Sequence, residues 1–85
     1  MKKKAPQLKT LDLHGFRQDE VYDAVDKFLM KNSRQKQLRI MTGKGKGLVQ
    51  KQVLQYLKQA GYPWVFEKMS NGSVNNGCLI VFVDE

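Results

Sequence analysis

The 85-residue chain contains a single cysteine and a single histidine, and each scarcity excludes a class of protein. With Cys78 alone there is no intramolecular disulfide, which fits a reducing, cytoplasmic setting. One histidine and one cysteine do not make a closed zinc site. Long apolar runs are also missing. The longest, Cys78 to Val83, falls well short of the roughly 18–20 residues of a membrane-spanning helix. Met1-Lys2-Lys3-Lys4 resembles the charged start of a signal peptide, but Ala5 to Thr10 is not the apolar segment that would have to follow. Acidic residues are absent from Lys27 through Phe66, a window that holds Lys27, Lys31, Arg34, Lys36, Arg39, Lys44, Lys46, Lys51 and Lys58.

That asymmetry shapes the charge. The net charge is +7, and half of the eight acids (Asp19, Glu20, Asp23, Asp26) crowd one short segment. The remainder of the chain offers either a basic surface suited to a polyanion such as nucleic acid or lysines that simply keep a small protein soluble, and a forty-residue stretch without an acid favours the polyanion. The length suffices for one domain and not for two. Residues 1–7 read as a basic, flexible tail and residues 8–85 as the domain.

The hydrophobic pattern predicts β-α-β-α-β-β. Leu8 to Leu13 reads as a strand and Asp19 to Lys31 as an amphipathic helix with Val21, Ala24, Val25, Phe28 and Leu29 inward. Gln37 to Thr42 reads as the second strand. Leu48 to Ala60 is a second helix, with Val49, Val53, Tyr56, Leu57 and Ala60 buried and Gln50, Lys51, Gln55 and Lys58 wet. Gly61 and Pro63 end it. Trp64 to Met69 is the third strand. Ser70 to Gly77 reads as a polar connection, and Leu79 to Val83 as an interior strand, apolar on both faces. Trp64, Phe66, Phe28 and Phe82 are expected in the core. Met30, Met41 and Met69 are expected to fill gaps in it, and Phe16 and Tyr62 either to stack on a base at the surface or to pack locally.

Two stretches carry chemistry. In Leu11-Asp12-Leu13-His14-Gly15, period-two alternation places Asp12 and His14 on one side of a strand end. In Thr42-Gly43-Lys44-Gly45-Lys46-Gly47, a glycine–lysine loop opens onto a helix N-terminus, where free N–H groups and the dipole favour an anion. The loop is not a P-loop, since no Gly-Lys-Ser/Thr closes it, and not a dinucleotide fingerprint. A strand–helix–strand unit is almost always a right-handed parallel crossover, which would bring both stretches to one sheet edge. By itself the histidine could be an ordinary surface residue, Asp12 could cap a turn, and the loop could be a tolerant connection.

The ordered pair of motifs, with an acid-rich helix between them, resembles the Smr (small MutS-related) domain family over Leu8 to Val83. The resemblance implies an α/β two-layer sandwich, a four-stranded mixed sheet with two helices, similar to the C-terminal domain of translation initiation factor three. It also implies nucleic-acid binding and endonuclease action, on DNA in some members and on RNA at stalled ribosomes in others. Carried onto this chain, the motif residues are Asp12, His14, Gly15, Thr42, Gly43, Lys44 and Gly45. Arg17, Lys46, Gly47 and Lys51 flank them and complete the candidate phosphate-binding set. The chain departs from the family at two places. Val74-Asn75-Asn76-Gly77 stands where a Gly-Gly-x-Gly turn is common, so only Gly77 fits. Arg17 replaces the usual Ser or Thr cap of the first helix, which predicts a cap shifted to Asp19.

The leading expectation is a phosphodiester endonuclease in which His14 is the general acid/base and Asp12 orients it or holds a divalent cation such as Mg²⁺. The alternatives are a DNA-, RNA- or ribosome-binding module without chemistry, and a protein–protein adaptor.

Overall fold

The structure, a computed structural model, describes residues 8–43 and 47–83. The elements are β1 (Thr10–Asp12), α1 (Gln18–Lys31), β2 (Gln37–Met41), α2 (Leu48–Ala60), β3 (Trp64–Lys68) and β4 (Val74–Phe82). They form one sheet in the order β1-β2-β4-β3. β1 is parallel to β2, whereas β2–β4 and β4–β3 are antiparallel. This is the expected four-stranded mixed sheet, and β4 is interior as its two apolar faces imply.

Both helices cover the same face. Leu38 and Ile40 of β2 and Leu79 and Val81 of β4 point toward them and are fully buried. They meet Val21, Val25 and Leu29 of α1 and Val53 and Leu57 of α2. The spacing of four residues within each helix set keeps every member on one stripe. The helices are also tied to each other. The Tyr56 hydroxyl donates to Asp26 Oδ1 at 2.6 Å, and Tyr22 meets the Tyr56 ring edge-on. Burial, then the hydrogen bond to Asp26, pushes the Tyr56 phenol up to about 12.

The opposite sheet face carries Arg39, Glu67 and Cys78. Arg39 Nε and Nη2 bind the two oxygens of Glu67 at 2.8 and 2.9 Å, and Asn75 Nδ2 adds a third bond to that carboxylate. The Arg39 guanidinium therefore holds the Glu67 carboxyl below the usual carboxylate range. Cys78 lies buried under this pair, receiving Arg39 Nη2 at 3.3 Å, and desolvation pushes its thiol up.

Several expectations require correction. β4 begins at Val74, so the second half of the expected Ser70–Gly77 connection is strand. The real turn is short. Met69 N–H donates to Ser73 O, Gly72 N–H to Met69 O, and Asn71 Oδ1 accepts from Ser73 N–H and Oγ. The polar residues Asn75 and Asn76 thus lie in a strand, the cross-strand register overriding their low β propensity. Phe82 pairs with Gln37 on the face away from the helices and lies outside the core. Tyr62 takes the packing alternative and lies against that core. Ala60 is exposed at the end of α2. Met30 is 70% and Met69 45% exposed, so neither fills a gap.

α1 begins one residue early, with Arg17 at the N-cap position. Glu20 Oε1 accepts the Arg17 backbone N–H at 3.0 Å. The helix therefore needs only the returning carboxylate of a capping box, and the cap does not shift to Asp19. Asp19 and Glu20 in the first turn and Lys31 in the last complement the dipole.

Candidate nucleic-acid interface

Because β1 and β2 run in parallel, their C-terminal ends share an edge. Leu13 N–H donates to Met41 O at 2.9 Å, so the chain leaves the sheet at His14 directly beside Thr42. The strand itself stops at Asp12. Beyond it lies a turn, closed by Phe16 N–H on Leu13 O at 3.0 Å. Asp12 Oδ1 accepts the His14 backbone N–H at 2.9 Å. Of the roles open to it, Asp12 therefore performs that of turn cap, fixing the backbone of His14 through an Asx turn. Gly15 has φ +85°, and a Cβ there would meet nothing within 4 Å, so glycine is required for handedness and not for space. His14, Gly15, Phe16 and Arg17 are all exposed at this rim. Arg17 Nε lies 3.8 Å from Asp19, a solvent-exposed pair that holds the guanidinium weakly.

The second motif is anchored by a third segment. Gly77 O accepts the N–H groups of Thr42 at 2.9 Å and Gly43 at 3.1 Å. The Gly77 carbonyl reaches them because it continues the β2–β4 register one pair beyond Met41 and Cys78, while on its other side β4 bulges. Phe66 pairs with Leu79 but Glu67 with Asn75, so Asn76, Gly77 and Cys78 have no partner on β3. Gln50 of α2 then staples the assembly, its Nε2 donating to Asn76 O at 2.6 Å and Thr42 Oγ1 at 3.2 Å. Thr42 is 8% exposed, and its hydroxyl donates back to Gly77 O or Gly43 O.

The N–H groups of Thr42 and Gly43 are thus occupied inside the protein. The donors open to an anion here belong to the start of α2. Its N-cap, Gly47, has φ +79°, receives no side-chain cap and precedes a first turn without an acid. Lys51 is exposed one turn in. Lys44, Gly45 and Lys46 lie outside the described residues.

The structure therefore brings Asp12, His14, Gly15, Thr42, Gly43 and Gly47 to one edge, with Arg17 and Lys51 beside it. Gln50 and Asn76 are participants that periodicity misplaced. The signal for Gln50 was present: it is in phase with Val53, Leu54 and Leu57, a polar residue within an apolar stripe.

A divalent cation finds little here. Among the described residues no group of three or more His, Cys, Asp or Glu side chains could hold a metal. Asp12 is the lone carboxylate of the turn, and one of its oxygens is engaged. The described residues do not form a cation cage of their own.

Among the described residues this edge of a two-layer α/β sandwich presents the uncapped opening of α2, with Arg17 and Lys51 exposed beside it. The Smr domain model matches residues 11–84, and the chain belongs to the Smr domain family, a family of nucleic-acid-binding, nuclease-like modules. The fold is similar to the solution structure of the SMR domain of NEDD4-binding protein 2, with a TM-score of 0.59 and 20% identity over 100% of this chain and 95% of that one. No curated protein sequence matches the chain. Among the described residues no helix is long and apolar enough to cross a membrane.

Proposed function

We propose that this Smr domain is a nucleic-acid endonuclease that acts at the edge shared by the ends of β1 and β2. The observation that carries the reading is the Asp12–Gly15 turn. It holds the only histidine exposed beside an uncapped, acid-free helix N-terminus. Cleaving a phosphodiester requires a proton acceptor for the nucleophile, a proton donor for the departing oxygen, and neutralisation of charge on phosphorus. His14 supplies proton transfer at its imidazole, a group that can both accept a proton and donate one. The N–H groups opening α2, with Lys44, Gly45, Lys46 and Lys51, hold the phosphate, and Arg17 guides the flanking strand. With RNA the 2′-hydroxyl is the nucleophile; with DNA a water must attack. A cation, where one takes part, arrives largely on the substrate phosphates, since Mg²⁺ is commonly held by few carboxylates plus phosphate. The working location is the cytoplasm, and a ribosome-bound RNA is one admissible substrate.

One observation favours a second reading, a binding module without chemistry: Asp12 engages backbone and not the imidazole, which leaves His14 without an orienting carboxylate. The test is incubation of the purified protein with labelled single- and double-stranded RNA and DNA, with and without chelator, and then analysis of product ends. His14→Ala should lose about 10²–10⁴ in rate with affinity changed by no more than a few fold. A wild type that binds but never cuts establishes the module. A wild type that cuts equally well as His14→Ala places the chemistry on another residue.

A further inference from the structure

The forty-residue acid-free window does not form one patch. The topology divides it between the rims formed by the two opposite ends of the β1 and β2 strands, with Arg39 neutralised by Glu67 in the middle. Lys51 lies at the rim of His14, whereas Lys31, Arg34 and Lys36 lie where α1 ends and β2 begins. At that far rim the outer side of β1 and the last turn of α1 enclose an open cleft of about 360 Å³, lined by Lys9, Thr10, Phe28, Lys31 and Asn32. Both lysines are exposed, and Phe28 is half-buried against the core. None of the lining residues is acidic. The helix end is quieted as well, because Phe28 O accepts both the backbone N–H and Nδ2 of Asn32, at 3.1 and 2.9 Å. The last carbonyls of α1 therefore present less negative charge to the cleft than an uncapped end would.

We propose that this cleft is a second nucleic-acid anchor, taking a backbone phosphate between Lys9 and Lys31 with the Phe28 side chain as an apolar wall for the adjoining sugar or base. Arg34 and Lys36 extend it. The five residue steps from Lys9 to His14 span at most about 17 Å at ~3.3 Å per residue, a reach of roughly five nucleotides at the ~3.4 Å rise of a stacked strand. One strand can thus occupy both rims, so the cleft sets the length of strand engaged around the cutting position. The inference rests on the nucleic-acid reading above but not on cleavage.

The test is a salt titration of binding to labelled 20-nucleotide oligo(U) and oligo(dT). It compares Lys9→Gln/Lys31→Gln with Lys58→Gln/Lys68→Gln, which removes the same charge from exposed positions outside the cleft. Two phosphate contacts on a single strand contribute about 1.4 to the slope of log K against log salt, equivalent to about 25-fold at 0.1 M salt. The cleft variant should lose most of that and Lys9→Arg/Lys31→Arg should retain it, while the control pair should lose no more than about threefold. Equal losses in the two Gln pairs would reduce the effect to net charge and overturn the anchor. A wild type that binds without cutting, and whose binding needs Lys9 and Lys31, removes the nuclease reading and leaves the anchor. A wild type that binds neither oligonucleotide removes both.

Discussion

Asp12 offers the sharpest separation between a structural and an electrostatic contribution at this edge. Its Oδ1 accepts the His14 N–H at 2.9 Å, a bond that asparagine makes equally well in an Asx turn. Asp12→Asn should therefore leave the melting temperature within about 2 °C and the cleavage rate within about threefold. Asp12→Ala removes the acceptor. Both residues are exposed, so water replaces part of the bond and the loss is about 0.5–1.5 kcal/mol. At about 4–8 °C per kcal/mol for a domain of this size, the melting temperature falls by about 2–12 °C. Loosening of the turn displaces the imidazole, and an ångström of misplacement costs up to about 10² in rate. The assay pairs thermal melts with initial rates on the cleaved substrate, with and without chelator. An Asp12→Asn variant that melts normally but loses more than about 100-fold in rate would refute the turn-cap account. It would assign the carboxylate's charge to a cation or to the imidazolium.

The staple and the ion pair make further demands. Gln50→Leu keeps the volume but removes the bonds to Asn76 O and Thr42 Oγ1, at a cost of about 1–2 kcal/mol. Hydrogen exchange at the Thr42 and Gly43 amides should accelerate more than at Ile40; equal acceleration would mean that Gln50 supports the whole sheet and not the motif. The Glu67 carboxyl is held down by the hydrogen bonds from Arg39, so its stabilisation is present above the ordinary glutamate pKa of about 4.3 and disappears as pH falls through the lowered one. Urea denaturation should show wild type more stable than Glu67→Gln by about 1 kcal/mol at pH 7 and by much less at pH 3. A difference independent of pH would refute the linkage.

Periodicity located both helices and the parallel pair because those features are local or arise from chirality. Val21, Val25 and Leu29 announce a stripe, and a β-α-β unit has one common hand. What periodicity missed depends on register between distant segments. Nothing in Val74-Asn75-Asn76-Gly77 indicates a strand until Asn75 and Val74 are aligned with Glu67 and Lys68 across a bulge. The same register decides Phe82, whose side chain accompanies Gln37 to the open face. The two motifs were legible as sequence, and their meeting at one edge is a consequence of topology. Their fastening was not legible, because it rests on a carbonyl, that of Gly77, which leaves no trace in residue type.

That fastening changes which groups can receive a phosphate. A glycine-rich loop suggests that each of its N–H groups is open to an anion, yet Thr42 and Gly43 both donate to Gly77. The first half of the motif is therefore a hinge fixed to β4, with Gly43 at φ +79° turning the chain away from the sheet. Only backbone beyond that turn is free to meet a ligand, and among the described residues this is the opening of α2. α1 shows the contrast. Its first turn carries Asp19 and Glu20, which complement its own dipole and would repel a phosphate, whereas the first turn of α2 carries no acid. Two helices begin at the same edge, and the charge on their first turns directs an anion to the second. On the proposed reading His14, its backbone fixed by Asp12 on the neighbouring strand end, is the proton-transferring group beside that phosphate.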